Sequence, residues 1–183
     1  MKRLFTIASM TAVAGFVFAG GAFADNADNP NNVVAKQCQA EKQAVGNKTF
    51  KEIYGGDHAM QTCKGRNADE AEEAVANASQ ECRAERDAIG EEAFNAQYGA
   101  NKNGKNAFGK CVSGKATAEA EENAEETANA AKTCKAEREA AGDEAFTAQY
   151  GTNKNGKNAF GKCVSQHAQA EEPEPEPEPA PVA

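Results

Sequence analysis

The residues most able to do chemistry in this chain are six cysteines that bound an internal repeat. The segment 82–113 recurs at 134–165 with 26 of 32 positions identical, and 38–63 is a shorter third copy. Each copy begins and ends on a cysteine, and an even number of cysteines is typical of a disulfide framework. Because near-identical copies should fold alike, we predict one bond within each copy: Cys38–Cys63, Cys82–Cys111 and Cys134–Cys163.

Other kinds of cysteine chemistry fit this spacing poorly. The paired cysteines lie 25 or 29 residues apart, without the C-x-x-C motif or histidine pair of a zinc site. The chain also lacks the C-x-x-C-H motif for haem attachment. Catalytic dithiols usually lie close together in the sequence. We therefore predict no metal ligands and no cofactor.

Histidines and carboxylates form no recognisable catalytic group. His58 and His167 occupy no equivalent repeat position and have no motif partner, so both are predicted to be surface residues. A glutamate follows the first cysteine of each copy by three positions and precedes a basic residue: Glu41, Glu85 and Glu137. Paired carboxylates can hydrolyse glycosides, but alternating charges favour a solvated or salt-bridging helix face. We predict no catalytic residues.

A polar Asn/Lys/Gly segment recurs at 101–106 and 153–158. Asn and Gly tolerate positive φ angles, so the composition predicts a turn. The segment lacks the carboxylates that bind calcium, but its lysines are suited to an anionic or glycan partner. The first copy lacks most of this segment and keeps its cysteines, so the turn is dispensable for the disulfide. The candidate binding residues are Asn101, Lys102, Asn103, Lys105, Asn153, Lys154, Asn155 and Lys157.

Short helices must position these residues. Gly46, Gly90 and Gly142 stand eight positions after the first cysteine of each copy and are predicted to end a first helix. A second helix follows, and Asn106 is predicted to cap a third. We therefore predict an all-α fold in which each module is a three-helix unit, with the cystine surrounded in module 2 by Ile89, Phe94, Tyr98, Phe108 and Val112.

Composition divides the rest of the chain into linkers and termini. The segments between modules are rich in Ala and Glu, so they are predicted to be helical, solvent-exposed spacers. Alanine alone makes a thin seam for a coiled coil. The predicted segments are a signal peptide (1–24), a disordered N-terminus (25–34), module 1 (35–65), a linker (66–80), module 2 (81–113), a linker (114–133), module 3 (134–165) and a disordered Glu/Pro tail (166–183).

The first residues indicate export. Lys2 and Arg3 precede an apolar stretch, and Ala22-Phe23-Ala24 matches a signal cleavage pattern. Cleavage would leave no transmembrane anchor and a net charge of about −10. Nucleic acids and anionic lipid surfaces attract clustered positive charge, so neither is a predicted partner.

The module ending NAFGKCVS, at 106–113 and 158–165, follows a lead-in of the form C-x-A-E-R-x-A-x-G-x-x-A-F-x-x-x-Y-G. This pattern resembles small secreted repeat proteins of high-GC Gram-positive bacteria that have no assigned function. The resemblance covers 82–113 and 134–165, and 38–63 more loosely. It implies a secreted or cell-wall-zone location and supplies no activity or functional residues.

The sequence therefore predicts a non-enzymatic secreted or cell-envelope repeat protein. Its duplicated modules would have a binding or structural role, in which repeated weak contacts add. A cell-wall polymer or another exported protein is the expected kind of partner. The alternative is a secreted enzyme, or an enzyme accessory, with an unrecognised site.

Overall fold

The computed structural model describes residues 29–101 and 104–171, and every regular element in that part of the chain is helical. This confirms the all-α class. The predicted signal peptide and the end of the predicted tail lie outside the described residues. No helix in the described part is long and apolar enough to cross a membrane. The helices are α1 (Pro30–Val45), α2 (Asn47–Tyr54), α3 (Ala59–Arg66), α4 (Ala68–Ile89), α5 (Glu91–Tyr98), α6 (Ala107–Ala141), α7 (Asp143–Tyr150) and α8 (Ala159–Glu171).

Each module consists of three helical segments joined by one cystine, as predicted. The three disulfides are Cys38–Cys63, Cys82–Cys111 and Cys134–Cys163, each with Cα atoms 6.0 Å apart. All six cysteines are fully buried. A unit of about 30 residues buries too little surface to fold alone, so the cystine and packing against the other modules both stabilise it.

A glycine ends the first helix of every module. Gly46, Gly90 and Gly142 have φ angles of 79°, 84° and 82°, which non-glycine residues rarely adopt. No atom lies within 4 Å of where a side chain would begin. The glycine is therefore retained for its backbone conformation, which turns the chain back toward the cystine.

The linkers are helical, as predicted, but they are not exposed spacers. The linker alanines of α4 and α6 recur every three or four residues and are almost fully buried: Ala71, Ala74, Ala78, Ala116, Ala120, Ala124 and Ala128. Residues at this spacing form one face of a helix. Alanine side chains are so small that neighbouring helices can approach closely along that face. Thin alanine seams thus form the centre of the molecule.

The central helix of the molecule is α6, which joins modules 2 and 3 without a break. Helices α1, α4 and α8 all pack against it, and α1 also contacts α4. Module 1 contacts module 3 through α2 and α8. At that contact, a Cβ atom on Gly161 would lie 2.3 Å from the Ile53 carbonyl oxygen. The array is therefore folded back on itself around α6.

Two predicted boundaries are wrong. The segment 25–34 was expected to be disordered, but α1 begins at Pro30 and buries Val33 and Val34. The tail was expected to begin at 166, but α8 continues to Glu171. In both places tertiary packing of apolar side chains, including Ala168 in α8, extends a helix that local composition does not reveal.

The predicted core of module 2 is correct except for Ile89. Phe94 and Val112 are buried, and Tyr98 and Phe108 pack against the core, but Ile89 is 43% exposed. Ile89 is the last residue of α4, and its equivalent in module 3, Ala141, is also exposed. The position is exposed at the end of the helix in both modules, which explains why the repeat accepts either residue there.

Candidate functional site

Every module pairs a glutamate with a tyrosine beside its cystine. The hydroxyl of Tyr54 donates to Glu41 at 2.5 Å, and the hydroxyl of Tyr98 donates to Glu85 at 2.8 Å. In module 3, Tyr150 donates to Glu137 at 2.6 Å. The glutamate lies one helical turn beyond the first cysteine, and the tyrosine ends the second helix. The fold thus brings together two positions that the repeat keeps in all three copies.

The glutamates were predicted to lie on a solvated or salt-bridging face, and this is wrong for Glu41. Glu41 is fully buried, whereas Glu85 and Glu137 are half-buried. The sequence did contain the relevant signal. A glutamate three positions after the first cysteine and a tyrosine sixteen positions after it occur in every copy. A matched hydrogen-bonding pair explains that joint retention better than solvent exposure does.

In each module one further residue contacts the glutamate of the Glu–Tyr pair. It lies at the same aligned position, but its type differs in all three modules. The residue four positions after the second cysteine is Asn67, Lys115 or His167. The Asn67 amide donates to Glu41 at 3.0 Å, and the Lys115 ammonium lies 3.6 Å from Glu85. In module 3, Nε2 of His167 lies 2.8 Å from Oε1 of Glu137.

The prediction that His167 has no equivalent position and no partner is therefore wrong. The match was missed because the aligned position lies just beyond the predicted end of each module. His58, by contrast, is exposed, as predicted.

Burial perturbs the titration of the module 1 pair. Desolvation raises the pKa of Glu41 to about 7, although the Tyr54 hydrogen bond opposes this shift. The nearby Glu70 carboxylate raises it further, and amide hydrogen bonds lower it. Desolvation, followed by the Glu41 carboxylate, also raises the pKa of Tyr54 far above its usual value. Glu41 is thus poised to change charge near neutral pH.

The candidate binding turns are exposed but do not form one surface. Asn101, Lys105 and the four predicted residues of the 153–158 turn are exposed, whereas Lys102 and Asn103 lie outside the described residues. The first turn directly precedes α6. The second precedes α8, where Phe160 lies 5.0 Å from the Arg138 guanidinium near the other end of α6. A helix of 35 residues spans about 52 Å, so the two turns lie at opposite ends of it.

Asparagine side chains hold these turns closed. The side-chain oxygen of Asn106 accepts from the Ala100 amide at 3.1 Å, and that of Asn158 accepts from the Thr152 amide at 3.2 Å. Asn106 is the N-cap residue of α6, as predicted, but its side chain makes no capping hydrogen bond to that helix. Some of the polar side chains in these turns therefore stabilise the turn itself.

A cleft of about 280 Å³ lies at the junction of the modules. It is bordered by α1, α2, the α3–α4 junction, α6 and α8. Ile53, Val164 and Ala168 supply apolar wall, and Arg66 contributes a positive charge. The remaining polar lining consists of amides, hydroxyls and carboxylates, including Gln37, Asn67, Glu70, Asn123, Glu126, Thr127, Ser165 and Gln169. None of these residues was predicted as a site.

The cleft shares residues with the buried network of module 1. Tyr54 and Asn67 line its wall and also hydrogen-bond Glu41. A ligand in the cleft would therefore lie beside the group whose pKa is about 7. No sequence pattern indicated this arrangement, because the lining comes from module 1, both linkers, the end of module 3 and the predicted tail.

Comparisons with known proteins do not identify the chain. No family model, curated protein or solved structure matches it.

Proposed function

We propose that this is a non-enzymatic extracytoplasmic binding protein whose ligand site is the cleft at the junction of modules 1 and 3. The observation that carries the proposal is the composition of that cleft, in which amides, hydroxyls and carboxylates from five helical segments surround about 280 Å³ of space. Ligand sites usually lie in such preformed concavities with a few convergent polar groups.

The proposed extracytoplasmic location is supported by the disulfides. Three buried disulfides are typical of an oxidising environment. The signal pattern before Asp25 and the resemblance to secreted repeat proteins favour the same environment. More specifically, we propose that the protein is secreted or retained in the cell-wall zone.

A binding role is favoured over catalysis by the partners of the module carboxylates. Glu41, Glu85 and Glu137 are each hydrogen-bonded to a tyrosine beside a cystine. A group repeated in all three modules with a structural partner is better suited to holding a module together than to attacking a substrate. The repeat therefore supplies the scaffold, and the cleft supplies the recognition surface.

The lining indicates a small polar ligand. Amides and hydroxyls both donate and accept hydrogen bonds, and the apolar wall offers limited contact for a ligand's carbon skeleton. Soluble saccharide and peptide fragments of cell-wall polymer have this chemistry, which connects the cleft with the expected kind of partner.

An NMR titration of residues 25–183 with these fragments tests the site. We expect the largest amide shifts at Asn67, Asn123 and Gln169. Ala168→Trp should fill the cleft and weaken binding at least tenfold. Ala170→Trp is the matched control, because Ala170 is exposed on the same helix. Shifts confined to the two turns, or equal affinity for both variants, would reject the cleft as the ligand site.

A further inference from the structure

Module 3 differs from the other modules in the chemistry around its cystine. Among the described residues, one group of potential metal ligands lies close together: Cys134, Cys163 and His167, with their ligand atoms all within 4.8 Å of one another. Glu137 adjoins them, with Oε1 2.8 Å from His167 and Oε2 3.8 Å from the Cys163 sulfur. We propose that module 3 becomes a four-ligand Zn²⁺ site when its cystine is reduced.

Two helices supply these ligands in pairs. Cys134 and Glu137 are three residues apart on α6, whereas Cys163 and His167 are four residues apart on α8. Residues at either spacing lie on the same face of a helix. The packing of α6 against α8 holds the two faces together, and the Cα atoms of the two cysteines lie 6.0 Å apart. Four side chains thus converge on one point between the helices.

The set matches the preferences of zinc. Zn²⁺ binds thiolate, imidazole and carboxylate in tetrahedral sites, and its bond lengths place ligand atoms about 3.3–3.8 Å apart. In the cystine the two sulfurs are bonded to each other, so they must separate on reduction. The ligand atoms already lie within 4.8 Å of one another, so side-chain rotations would then complete the site. Both cysteines are fully buried, while the side chains of His167 and Glu137 are 33% and 35% exposed. The exposed pair provides the route by which an ion can enter.

The chemistry requires an added reductant. Two thiol groups, or one phosphine together with one water molecule, donate two electrons, the bond between the Cys134 and Cys163 sulfurs breaks, and each sulfur gains a proton from the thiols or the water. The reductant leaves as its disulfide or phosphine oxide. Zn²⁺ then displaces the two thiol protons and binds both thiolates, neutral His167 and ionised Glu137. In the oxidised module the two sulfurs are bonded to each other and supply no thiolate.

Modules 1 and 2 are natural controls within the same chain. Both contain the cysteine pair and the glutamate, but the position of His167 is occupied by Asn67 or Lys115. A neutral amide is a poor zinc ligand, and an ammonium group has no lone pair to donate. We therefore expect zinc to act on one cystine of the three.

The first test measures the effect of Zn²⁺ on each cystine in residues 25–183. The protein is equilibrated in a thiol buffer with or without Zn²⁺, then alkylated and mapped by mass spectrometry. Zn²⁺ should increase the reduced fraction of Cys134–Cys163 and leave Cys38–Cys63 and Cys82–Cys111 unchanged. His167→Asn should abolish the increase, whereas His58→Asn, at an exposed histidine, should preserve it. An equal increase at all cystines, or none at Cys134–Cys163, would overturn the proposal.

The second test uses Co²⁺ as a spectroscopic probe of the phosphine-reduced protein. We expect one equivalent to give the intense visible bands of a tetrahedral ion and a thiolate charge-transfer band, both lost on addition of Zn²⁺. Glu137→Gln and His167→Asn should each weaken binding at least about tenfold. Asn67→His should add a second equivalent by completing the set in module 1. Absence of the tetrahedral bands, or affinity unchanged by both substitutions, would contradict the site.

Discussion

At the residue scale, the buried carboxyl of Glu41 is a group through which pH should act on stability. It is fully buried and hydrogen-bonded to Tyr54 and Asn67. Its neutral form is favoured because the interior solvates a negative charge poorly. An acid whose pKa is raised by folding holds its proton more tightly in the folded chain than in the unfolded one. Stability is therefore lost as pH rises between the unfolded and folded pKa values.

We predict that unfolding free energy decreases between pH 4.5 and 7 because of this group. The pKa of Glu41 rises from 4.5 to about 7 on folding, which corresponds to a loss of up to about 3 kcal/mol. Glu41→Gln should remove this part of the pH dependence, because glutamine does not titrate. Denaturant unfolding at both pH values measures the change.

The control for this prediction is Glu121→Gln. Glu121 is exposed on α6, so its substitution should leave the pH dependence close to that of the unaltered protein. Parallel stability curves for the Glu41→Gln variant and the unaltered protein would show that Glu41 does not govern the response.

At the element scale, the alanine stripes of α4 and α6 determine how the helices pack. The closely packed seam leaves no room for a larger side chain. We predict that Ala120→Leu destabilises the protein by about 1–3 kcal/mol, because overpacking displaces helices and strains rotamers. Ala120 is 2% exposed. Thermal or denaturant unfolding measures the loss.

Ala118→Leu is the matched control for the seam. Ala118 lies two residues away on the exposed face of α6, and surface substitutions usually change stability by less than about 0.5 kcal/mol. If the two leucine variants are equally stable, the linker is an exposed spacer after all.

At the scale of the whole molecule, module 1 docks on module 3 where α2 meets α8. Gly161→Ala would place a Cβ atom 2.3 Å from the Ile53 carbonyl oxygen, and backbone atoms there cannot rotate away. We predict a loss of about 1–3 kcal/mol as the helices move apart. The same substitution should weaken binding in the cleft, since both helices line it.

Gly114→Ala tests the same change without the contact. Gly114 is a helical residue of α6 with no atom within 4 Å of the added Cβ. Alanine should stabilise the helix there by about 0.5–1 kcal/mol. A destabilising Gly114→Ala or a neutral Gly161→Ala would contradict the docked arrangement.

The distance between the turns at 101–106 and 153–158 leads to a prediction about the length of a partner that contacts both. Because α6 spans about 52 Å, one ligand can contact both turns only if it is at least that long. If the turns bind cell-wall polymer, long chains should bind more tightly than short fragments. Lys157→Glu should remove that gain and leave the affinity of fragments for the cleft unchanged. Calorimetry with polymer of defined lengths measures this gain in affinity. A gain that does not depend on polymer length would contradict this role.

The sequence by itself determined what depends on local chemistry and on repetition. The cysteine-bounded copies predicted all three disulfides, and Gly46, Gly90 and Gly142 predicted the helix ends, because a cystine and a positive φ each require one residue type. The helical linkers followed from alanine and glutamate propensity.

Only the tertiary structure decided which faces are covered. Alanine has the same helical propensity whether buried or exposed, so the seam along α6 was not visible in composition. The pairing of His167 with Glu137, the burial of Glu41 and the cleft all depend on helices distant in sequence packing together. Short-range patterns specify each module, whereas the candidate sites arise where modules meet or where one module alone carries a histidine.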